Sequence, residues 1–280
     1  MIAASGFREY DARWPYPAGI DLEGMEVLGL SLGTQMHRHG VAPKIAVGSD
    51  YRSYSADVRA ALISGLVRAG ITVSDIGTSL SPMAYFAQFH LDVPAVAMVT
   101  ASHNPNGWTG VKMGFDRPVT HGPDEMSELR DIVMGAQGIE RPGGCVEVVE
   151  NVRDAYLDDL IGDFRMTRPL KVVCATGNGT AGDFAPELLR RMGLRWCLCI
   201  PSSTGISRIT TRTPKRWRCC TTWRGWCISL VPTLRLVLTG MEIAAEWSTR
   251  QGTRFLPIKS GSSWRATGLP AILALIWWWM

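Results

Sequence analysis

The first 195 residues predict an α/β fold built around a mainly parallel sheet. Three short apolar stretches, at 44–49, 71–74 and 94–99, have the length and composition of buried strands. Amphipathic stretches at 56–69 and 82–89 lie between them and have the spacing of helices. Strands that alternate with helices at this rhythm form βαβ units, in which neighbouring strands run parallel.

The two intervening helices have recognisable ends. The first follows Ser55, a residue type that caps helix N-termini, and stops before Gly70. The second begins with Pro82, which is favoured in the first helical turn. One face of the first helix is apolar, which predicts packing against the sheet through Val58, Ala61, Leu62, Ile63 and Leu66.

Further elements indicate a second domain. Apolar residues recur at helical spacing over 122–135 and 151–164, and the latter helix is predicted to link two domains. A strand at 170–174, a glycine-rich turn at 176–182 and a helix closing at Gly193 then repeat the strand–turn–helix pattern. The predicted parts are a first domain at 1–148, the start of a second at 149–195, and a tail at 196–280.

The tail differs from the rest of the 280-residue chain in composition. Residues 1–195 carry 18 Lys and Arg against 23 Asp and Glu, a net charge of −5. Residues 196–280 carry 11 against 2, a net charge of +9, and contain no Asp. The tail also holds nine of the eleven Trp and five of the seven Cys. Because it shows neither helical nor strand periodicity, it is predicted to be irregular and poorly folded.

Composition also excludes several classes of protein. A hydrophobic content of 46% is ordinary for a globular chain and excludes disorder or a fibrous repeat as a description of the whole. Residues 1–6 lack the charged and apolar regions of a signal peptide. The apolar run at 269–280 is shorter than the roughly 20 residues of a membrane-spanning helix. Isolated cysteines without paired zinc spacing fit a reducing compartment, so we expect a cytoplasmic protein.

The stretch with the clearest chemistry is 100–112, which reads T-A-S-H-N-P-N-G-W-T-G-V-K and follows the third predicted strand. Ligands of open α/β sheets bind at the carboxyl ends of strands. This loop offers the hydroxyl of Ser102, the imidazole of His103, the amide of Asn104 and the cation of Lys112. Such a set suits group transfer, above all of a phosphoryl group. Spacing alone leaves a polar surface turn as an equal alternative.

The segment T-A-S-H-N-P resembles the phosphoserine signature of the α-D-phosphohexomutases, the phosphomannomutase/phosphoglucomutase family. Trp14, which follows the segment F-R-E-Y-D-A-R at 7–13, stands where the N-terminal motif of that family usually has Gly. The resemblance covers about residues 5–195 and is more specific than any single motif. Four further segments resemble motifs of the family in chain order: 7–13 (F-R-E-Y-D-A-R), 48–52 (G-S-D-Y-R), 75–83 (D-I-G followed by S-P-M) and 177–182 (G-N-G-T-A-G).

The resemblance implies a phosphohexomutase domain I, with a mixed, mainly parallel sheet sandwiched by helices, and the start of a similar domain II. Ser102 would carry a phosphoryl group, pass it to mannose or glucose 1- or 6-phosphate, and recover one from the 1,6-bisphosphate intermediate. Mg²⁺ would bridge the phosphoserine and three carboxylates, since it prefers oxygen ligands. Lys112 and Arg13 would neutralise charge, and His103 would carry a proton.

The resemblance also makes Tyr10, Asn104 and Arg8 candidate substrate-binding residues, although a plain surface position is the favoured interpretation for Arg8. For Asp50 and Arg52, a structural ion pair at a strand end is the favoured interpretation. The remaining histidines are expected at the surface or in loops rather than as ligands: His37, His39, His90 and His121.

The metal loop of the family, Asp-Gly-Asp-Gly-Asp-Arg, should follow in the second domain, but the tail contains no Asp. One set of permitted codons for residues 238–247, read one base out of phase, encodes Asp-Gly-Asp-Gly-Asp-Arg. Met and Trp each have a single codon, so the choice has little freedom. We therefore hypothesise a frameshift near residues 194–206, which makes this chain a truncated family member with its metal ligands missing and with little or no mutase activity.

Two alternatives remain. A non-enzymatic protein would use its basic tail to bind nucleic acid or an anionic membrane, with arginines and tryptophans forming the contact. The frameshift explains the same composition, so neither partner is expected. An α/β-hydrolase-like use of Ser102 and His103 is disfavoured because no G-x-S-x-G elbow surrounds the serine. The tail residues of the first alternative are Arg216, Trp217, Arg218, Trp223 and Arg224.

Overall fold

A computed structural model describes residues 1–163, 171–175, 179–198, 233–238, 243–249 and 252–257. The chain forms two compact units, Met1–Tyr156 and Leu157–Met280. The frameshift junction proposed at 194–206 lies largely outside the described residues, as do Arg216, Arg218 and Arg224 with their neighbouring tryptophans. Residues 176–178 of the glycine-rich turn also lie outside them.

The first unit contains a six-stranded mixed sheet in the order β1-β5-β4-β2-β3-β6. The pairs β4–β2, β2–β3 and β3–β6 are parallel, whereas β1–β5 and β5–β4 are antiparallel. The mixed, mainly parallel sheet predicted from the sequence is therefore confirmed. Its strands are β1 (Ala12–Pro15), β2 (Lys44–Ser49), β3 (Thr72–Thr78), β4 (Ala95–Val99), β5 (Trp108–Gly114) and β6 (Cys145–Val148).

Five helices accompany this sheet: α1 (Leu22–Arg38), α2 (Ser55–Arg68), α3 (Ser81–His90), α4 (Pro123–Met134) and α5 (Val152–Ile161). The helices predicted from periodicity are confirmed as α2 to α5, with ends shifted by up to three residues. Ser55 was predicted to cap α2 but is its first helical residue, and its hydroxyl donates to Asp50 Oδ1 at 2.5 Å instead. The competing acceptor explains the shift, because Asp50 lies at the end of the neighbouring strand.

Helices α1 and α2 pack with unusually close backbones. A Cβ atom at Gly65 would lie 1.9 Å from the carbonyl oxygen of Glu26, and one at Gly29 would lie 2.2 Å from that of Leu62. No side chain fits at these distances, so each glycine is required by the contact with the facing helix. The two glycines lower the intrinsic helix propensity of α1 and α2, and the packing of the helices compensates for this loss.

The second unit contains a five-stranded sheet in the order β11-β10-β9-β7-β8. Strand β7 pairs in parallel with β8 and β9, while β9–β10 and β10–β11 are antiparallel. The strand–turn–helix start of a second α/β sheet is thus present. Its elements are β7 (Lys171–Ala175), α6 (Ala181–Arg191), β8 (Arg195–Leu198), β9 (Thr233–Leu238), β10 (Ile243–Thr249) and β11 (Gly252–Pro257).

Strands β9 to β11 differ from the wholly irregular tail expected after residue 195. Their local sequence lacks a clean alternation of apolar and polar residues, which is why periodicity did not find them. Strand identity here comes from pairing, since β9 adds to the edge of β7 and the other two continue the sheet. Among the described residues, no helix is both long and apolar enough to span a bilayer.

A buried polar network joins α1 to α4 around His121. His121 was expected at the surface or in a loop. It lies in the loop before α4 but not at the surface, since it is 2% exposed. Its Nε2 lies 3.0 Å from Gln35 Oε1, while the amide of Gln35 donates to Glu128 Oε2 at 2.9 Å and to the Glu125 carbonyl at 2.8 Å. Because the Gln35 amide nitrogen donates to these two oxygens, its Oε1 is the acceptor, and His121 donates to it from Nε2.

Burial lowers the pKa of His121 to about 4 from 6.5, which makes stability depend on pH. An unfolded chain takes up a proton on this imidazole as the pH falls below 6.5, whereas the folded chain resists it. The contribution is therefore complete above pH 6.5 and is lost as the pH falls towards 4. Between pH 7 and 5 we expect a loss of about 2 kcal/mol of unfolding free energy from this residue.

Urea unfolding at the two pH values measures this loss, with His121→Asn as the variant that retains a neutral donor. The variant should show a smaller decrease in stability than the wild type. His90→Gln, at an exposed position of α3, should leave the pH dependence unchanged. Equal slopes for His121→Asn and the wild type would contradict the buried neutral state.

Candidate functional site

The Ser102 loop, residues 100–107, connects β4 to the antiparallel β5 at the carboxyl end of β4. Thr100 N donates to the Gly110 carbonyl at 2.9 Å, which closes the base of the loop, and Asp50 N donates to the Val99 carbonyl at 2.9 Å. Ser102 has φ of +54°, in the left-handed region that few residues other than glycine adopt. Its side chain remains partly exposed, so the hydroxyl is accessible to a reactant.

A buried carboxylate holds the first half of this loop. Asp50, 7% exposed, forms an ion pair with Arg52 through its Oδ2 and accepts from the Thr100 hydroxyl at 2.9 Å. The same Thr100 oxygen accepts from Ser102 N at 3.0 Å. The other arm of the Arg52 guanidinium donates to the carbonyls of Ser102 at 3.2 Å and Asn104 at 2.8 Å. The ion pair favoured from the sequence is therefore present, and its charges also bind the Ser102 loop.

The second half of the loop is held by a tyrosine on the turn before α2. Tyr54 Oη donates to the Trp108 carbonyl at 2.8 Å and accepts from Gly107 N at 2.9 Å, and burial raises the pKa of this phenol. Its ring stacks on Tyr16 with centroids 4.8 Å apart. Gly107 has φ of +88°, a conformation that glycine adopts without strain. Both ends of the loop are thus fixed by side chains of neighbouring segments.

Two adjacent strands, β1 and β5, each carry a cation, and the one on β1 reaches the loop. Arg13 on β1 pairs with Asp11 at 2.6 Å, and its Nη1 donates to Asn104 Oδ1 at 3.3 Å. Lys112 on β5 is half-buried. Burial lowers the pKa of its ammonium group most, the nearby charge of Arg13 lowers it further, and the charge of Asp11 opposes this shift. Burial and the charge of Asp11 raise the pKa of Tyr85 to about 12. Arg13 therefore brings a cation to the serine loop, and the Lys112 charge lies near those of Arg13 and Asp11.

The other predicted residues divide into two groups. His103 Nδ1 lies 3.4 Å from Ser102 Oγ, which is longer than an ordinary hydrogen bond, so the pair is not a preassembled base and nucleophile. Asn104 belongs to the loop and contacts Arg13, as described. Arg8 and Tyr10 lie on the turn before β1, where both are exposed, and Tyr10 is 60% exposed. The substrate-binding roles of these three residues stay predictions.

Thr100, Asp11 and Tyr54 were not predicted as functional residues. Thr100 was part of the quoted motif, and a signal for its role was present, since Asp50 and Thr100 each follow a predicted strand. Carboxyl ends of neighbouring parallel strands meet at one edge of a sheet, and β2 and β4 are neighbours. The missing knowledge was the strand order, which periodicity does not provide.

Magnesium does not fit the described side chains. Within this described part of the chain, no three His, Cys, Asp or Glu residues are grouped so that they could hold a metal ion. The carboxylates around the Ser102 loop are paired instead, Asp11 with Arg13 and Asp50 with Arg52. These residues alone do not make the oxygen-rich site that Mg²⁺ prefers.

The first unit therefore has the layout of a group-transfer domain, with an accessible serine at the carboxyl end of a parallel strand and an arginine in contact with the serine loop. Residues 4–138 match the model of the phosphoglucomutase/phosphomannomutase family, α/β/α domain I. This match assigns residues 4–138 to the domain I of that family, and the relatives below are named as phosphomutases.

Curated relatives and a solved structure agree with the family match. A phosphomannomutase/phosphoglucomutase of Pseudomonas putida is 33% identical over 195 residues, 70% of this chain and 41% of that protein. A phosphomannomutase of Escherichia coli is 38% identical over 200 residues, 68% of this chain and 42% of that protein. A phosphoglucomutase/phosphomannomutase family protein of Burkholderia thailandensis has a TM-score of 0.76 at 25% identity, covering 91% of this chain and 56% of that one. This chain thus spans about two fifths of the length of those curated relatives.

Proposed function

We propose that Ser102 is the phosphoryl carrier of a cytoplasmic hexose phosphomutase. The reaction interconverts the 1- and 6-phosphates of mannose or glucose through a 1,6-bisphosphate and needs neither nucleic acid nor a membrane as partner. The observation that carries the proposal is the accessible Ser102 hydroxyl, presented on a held loop at the carboxyl end of β4 within the domain I of this family. An isolated surface turn would not have both its halves bound by buried side chains.

The proposed step is a transfer between two oxygens. The Ser102 oxygen forms a bond to phosphorus of the bisphosphate, and the bond from that phosphorus to the sugar oxygen breaks. The hydroxyl proton of Ser102 ends on the released sugar oxygen, with His103 proposed as its carrier. Arg13 and Lys112 offset the charge of the transferred group and orient it. In the reverse step, the phosphoserine gives its phosphoryl group to the other hydroxyl position of a sugar monophosphate. This regenerates the bisphosphate and the free Ser102 hydroxyl, so no net phosphate is consumed.

Prolonged incubation of the chain with glucose 1,6-bisphosphate and Mg²⁺ tests the proposal, because a single transfer to Ser102 requires no turnover. We expect one phosphoryl group per chain, located on Ser102 by peptide mass spectrometry. A parallel incubation with an acylating serine-hydrolase inhibitor should leave Ser102 unmodified. Acylation of Ser102 without phosphorylation would favour the hydrolase alternative and overturn the proposal.

We also propose that the tail arises from a frameshift near residues 194–206. The change of composition after residue 195 supports this, as does the restriction of the two relatives above to 70% and 68% of the chain. The out-of-phase Asp-Gly-Asp-Gly-Asp-Arg would correspond to codons 238–244, from the last residue of β9 to the first two residues of β10. Sequencing the gene downstream of codon 193 tests it, because no single-base shift should restore that loop if the idea is wrong.

The frameshift predicts little or no mutase turnover by the 280-residue chain. A coupled assay that converts mannose 1-phosphate to mannose 6-phosphate measures this. The matched control is the same gene with the proposed frame restored, which should gain at least about a hundredfold in turnover. Equal turnover by the two chains would show that the out-of-frame tail is not the defect.

A further inference from the structure

Asp50 is a charged group buried without an evident role in stability. Removing two charges from water costs several kcal/mol, and the ion pair with Arg52 returns little more than that cost. An apolar pair at these positions would fill the same space at no such cost. The contacts of the pair indicate another use, because all of its remaining hydrogen bonds lead towards the Ser102 loop or the start of α2.

The contacts converge on the backbone of Ser102. Asp50 orients the Thr100 hydroxyl by accepting its proton, and this leaves the lone pairs of Thr100 for the Ser102 N–H. Arg52 binds the Ser102 carbonyl on the other side of the same residue. Both peptide groups of Ser102 are therefore fixed by side chains, Thr100 and Arg52, that are themselves bound to the buried carboxylate of Asp50.

Ser102 needs this support because its backbone is strained. A left-handed conformation costs a non-glycine residue about 1–2 kcal/mol, and φ of +54° lies in that region. Without the two bonds, the residue would relax to an extended or right-handed conformation, and its Oγ would point elsewhere. Misplacement of a reacting atom by about 1 Å can reduce a rate about a hundredfold.

We infer that Asp50, Arg52 and Thr100 are positioning residues that hold Ser102 in its left-handed conformation and thereby direct its hydroxyl at the phosphoryl donor. This inference rests on the proposed function for its catalytic consequence, but the loop geometry itself can be tested separately. Arginine is suited to the task because its fork binds Asp50 with one arm and two carbonyls with the other. A lysine ammonium at the same place cannot span both.

The test uses Thr100→Val, which removes the hydroxyl, and Thr100→Ser, which keeps it. Arg52→Lys keeps the charge and loses the fork, and Arg59→Lys is its matched control. Arg59 is also partly buried and paired with an aspartate, but its described contacts are to Ser49 at 2.8 Å and Asp75 at 3.1 Å. Phosphorylation of Ser102 is followed against the concentration of glucose 1,6-bisphosphate, and amide exchange is followed over residues 101–107.

We expect Thr100→Val and Arg52→Lys to lower the maximal labelling rate about tenfold or more, with the half-saturating concentration unchanged. Amide exchange over 101–107 should be about tenfold faster in both. Thr100→Ser should restore labelling and exchange to near the wild type, and Arg59→Lys should change neither.

Wild-type labelling and exchange in Thr100→Val would overturn the inference. So would equal effects of Arg59→Lys and Arg52→Lys, because these would reflect a general loss of stability. If the wild type takes no label at all, the proposed function fails, and exchange over 101–107 alone then decides whether the three residues hold the loop.

Discussion

Ser102→Ala is expected to reduce phosphoryl incorporation from glucose 1,6-bisphosphate at least about a thousandfold, to the background of the assay. Alanine removes the single oxygen that forms the new bond, and the backbone contacts from Thr100 and Arg52 remain available because they involve only the peptide groups. The loss should therefore be in chemistry and not in folding. Intact mass and peptide mapping after incubation provide the measurement.

Two further variants make this result specific. Ser102→Gly also lacks the oxygen but adopts a left-handed φ without strain, so it controls for distortion of the loop by alanine. Ser53→Ala removes an exposed hydroxyl from the turn before α2 and should be labelled like the wild type. A phosphoryl group found on either Ser102 variant would place the acceptor on another residue and contradict the assignment.

Trp14→Ala is expected to lower the free energy of unfolding by about 3–5 kcal/mol, the largest effect on stability that we anticipate. Trp14 is 0% exposed, its Nε1 donates to the Ala3 carbonyl at 2.6 Å, and its ring meets Phe7 edge-on with centroids 5.3 Å apart. Gly6 lies so near the indole that a Cβ there would be 1.9 Å from Nε1. Truncation would leave a cavity and an unpaired carbonyl between the N-terminal turn and the sheet.

Chemical unfolding followed by far-ultraviolet circular dichroism measures the loss without interference from the tryptophans of the tail. Trp108→Ala is the matched control, because Trp108 lies on the adjacent β5 strand opposite Pro15 but is only half-buried. It should cost less than half as much as Trp14→Ala. Equal losses for the two tryptophans would show that burial at position 14 is not the source of stability.

The sequence predicts the elements β2 to β4 and α2 to α5 of the first unit but not β1, β5, β6 or α1, and α1 shows why prediction failed. No helix was assigned to Leu22–Arg38, since three glycines lower its helix propensity. Two of those glycines instead face α2 or the segment that follows it, where a Cβ at Gly29 or Gly33 would clash. The same glycines lower the helix propensity of the segment and permit its close packing. Only the tertiary structure shows that the packing contact decides the local structure.

The site was predictable in its chemistry but incompletely in its geometry. Ser102, Arg13 and Lys112 were identified from the loop and from the family motifs, and the structure brings Arg13 to Asn104 of the loop. The proposal that the Asp50–Arg52 pair positions Ser102 required the adjacency of β2 and β4. That adjacency arises from the crossover of the chain, which local periodicity does not encode.

The sequence by itself determined the α/β class, the helices α2 to α5, the serine loop and the change of composition after residue 195, because each depends on neighbours in the chain. Tertiary structure alone decided the strand order, the close α1–α2 contact, the burial of His121 and the pairing of β9 to β11. These features depend on residues far apart in sequence, whose interaction energy exists only once the backbone brings them together. The left-handed conformation of Ser102 combines both origins, since a local turn sequence permits it and distant side chains hold it.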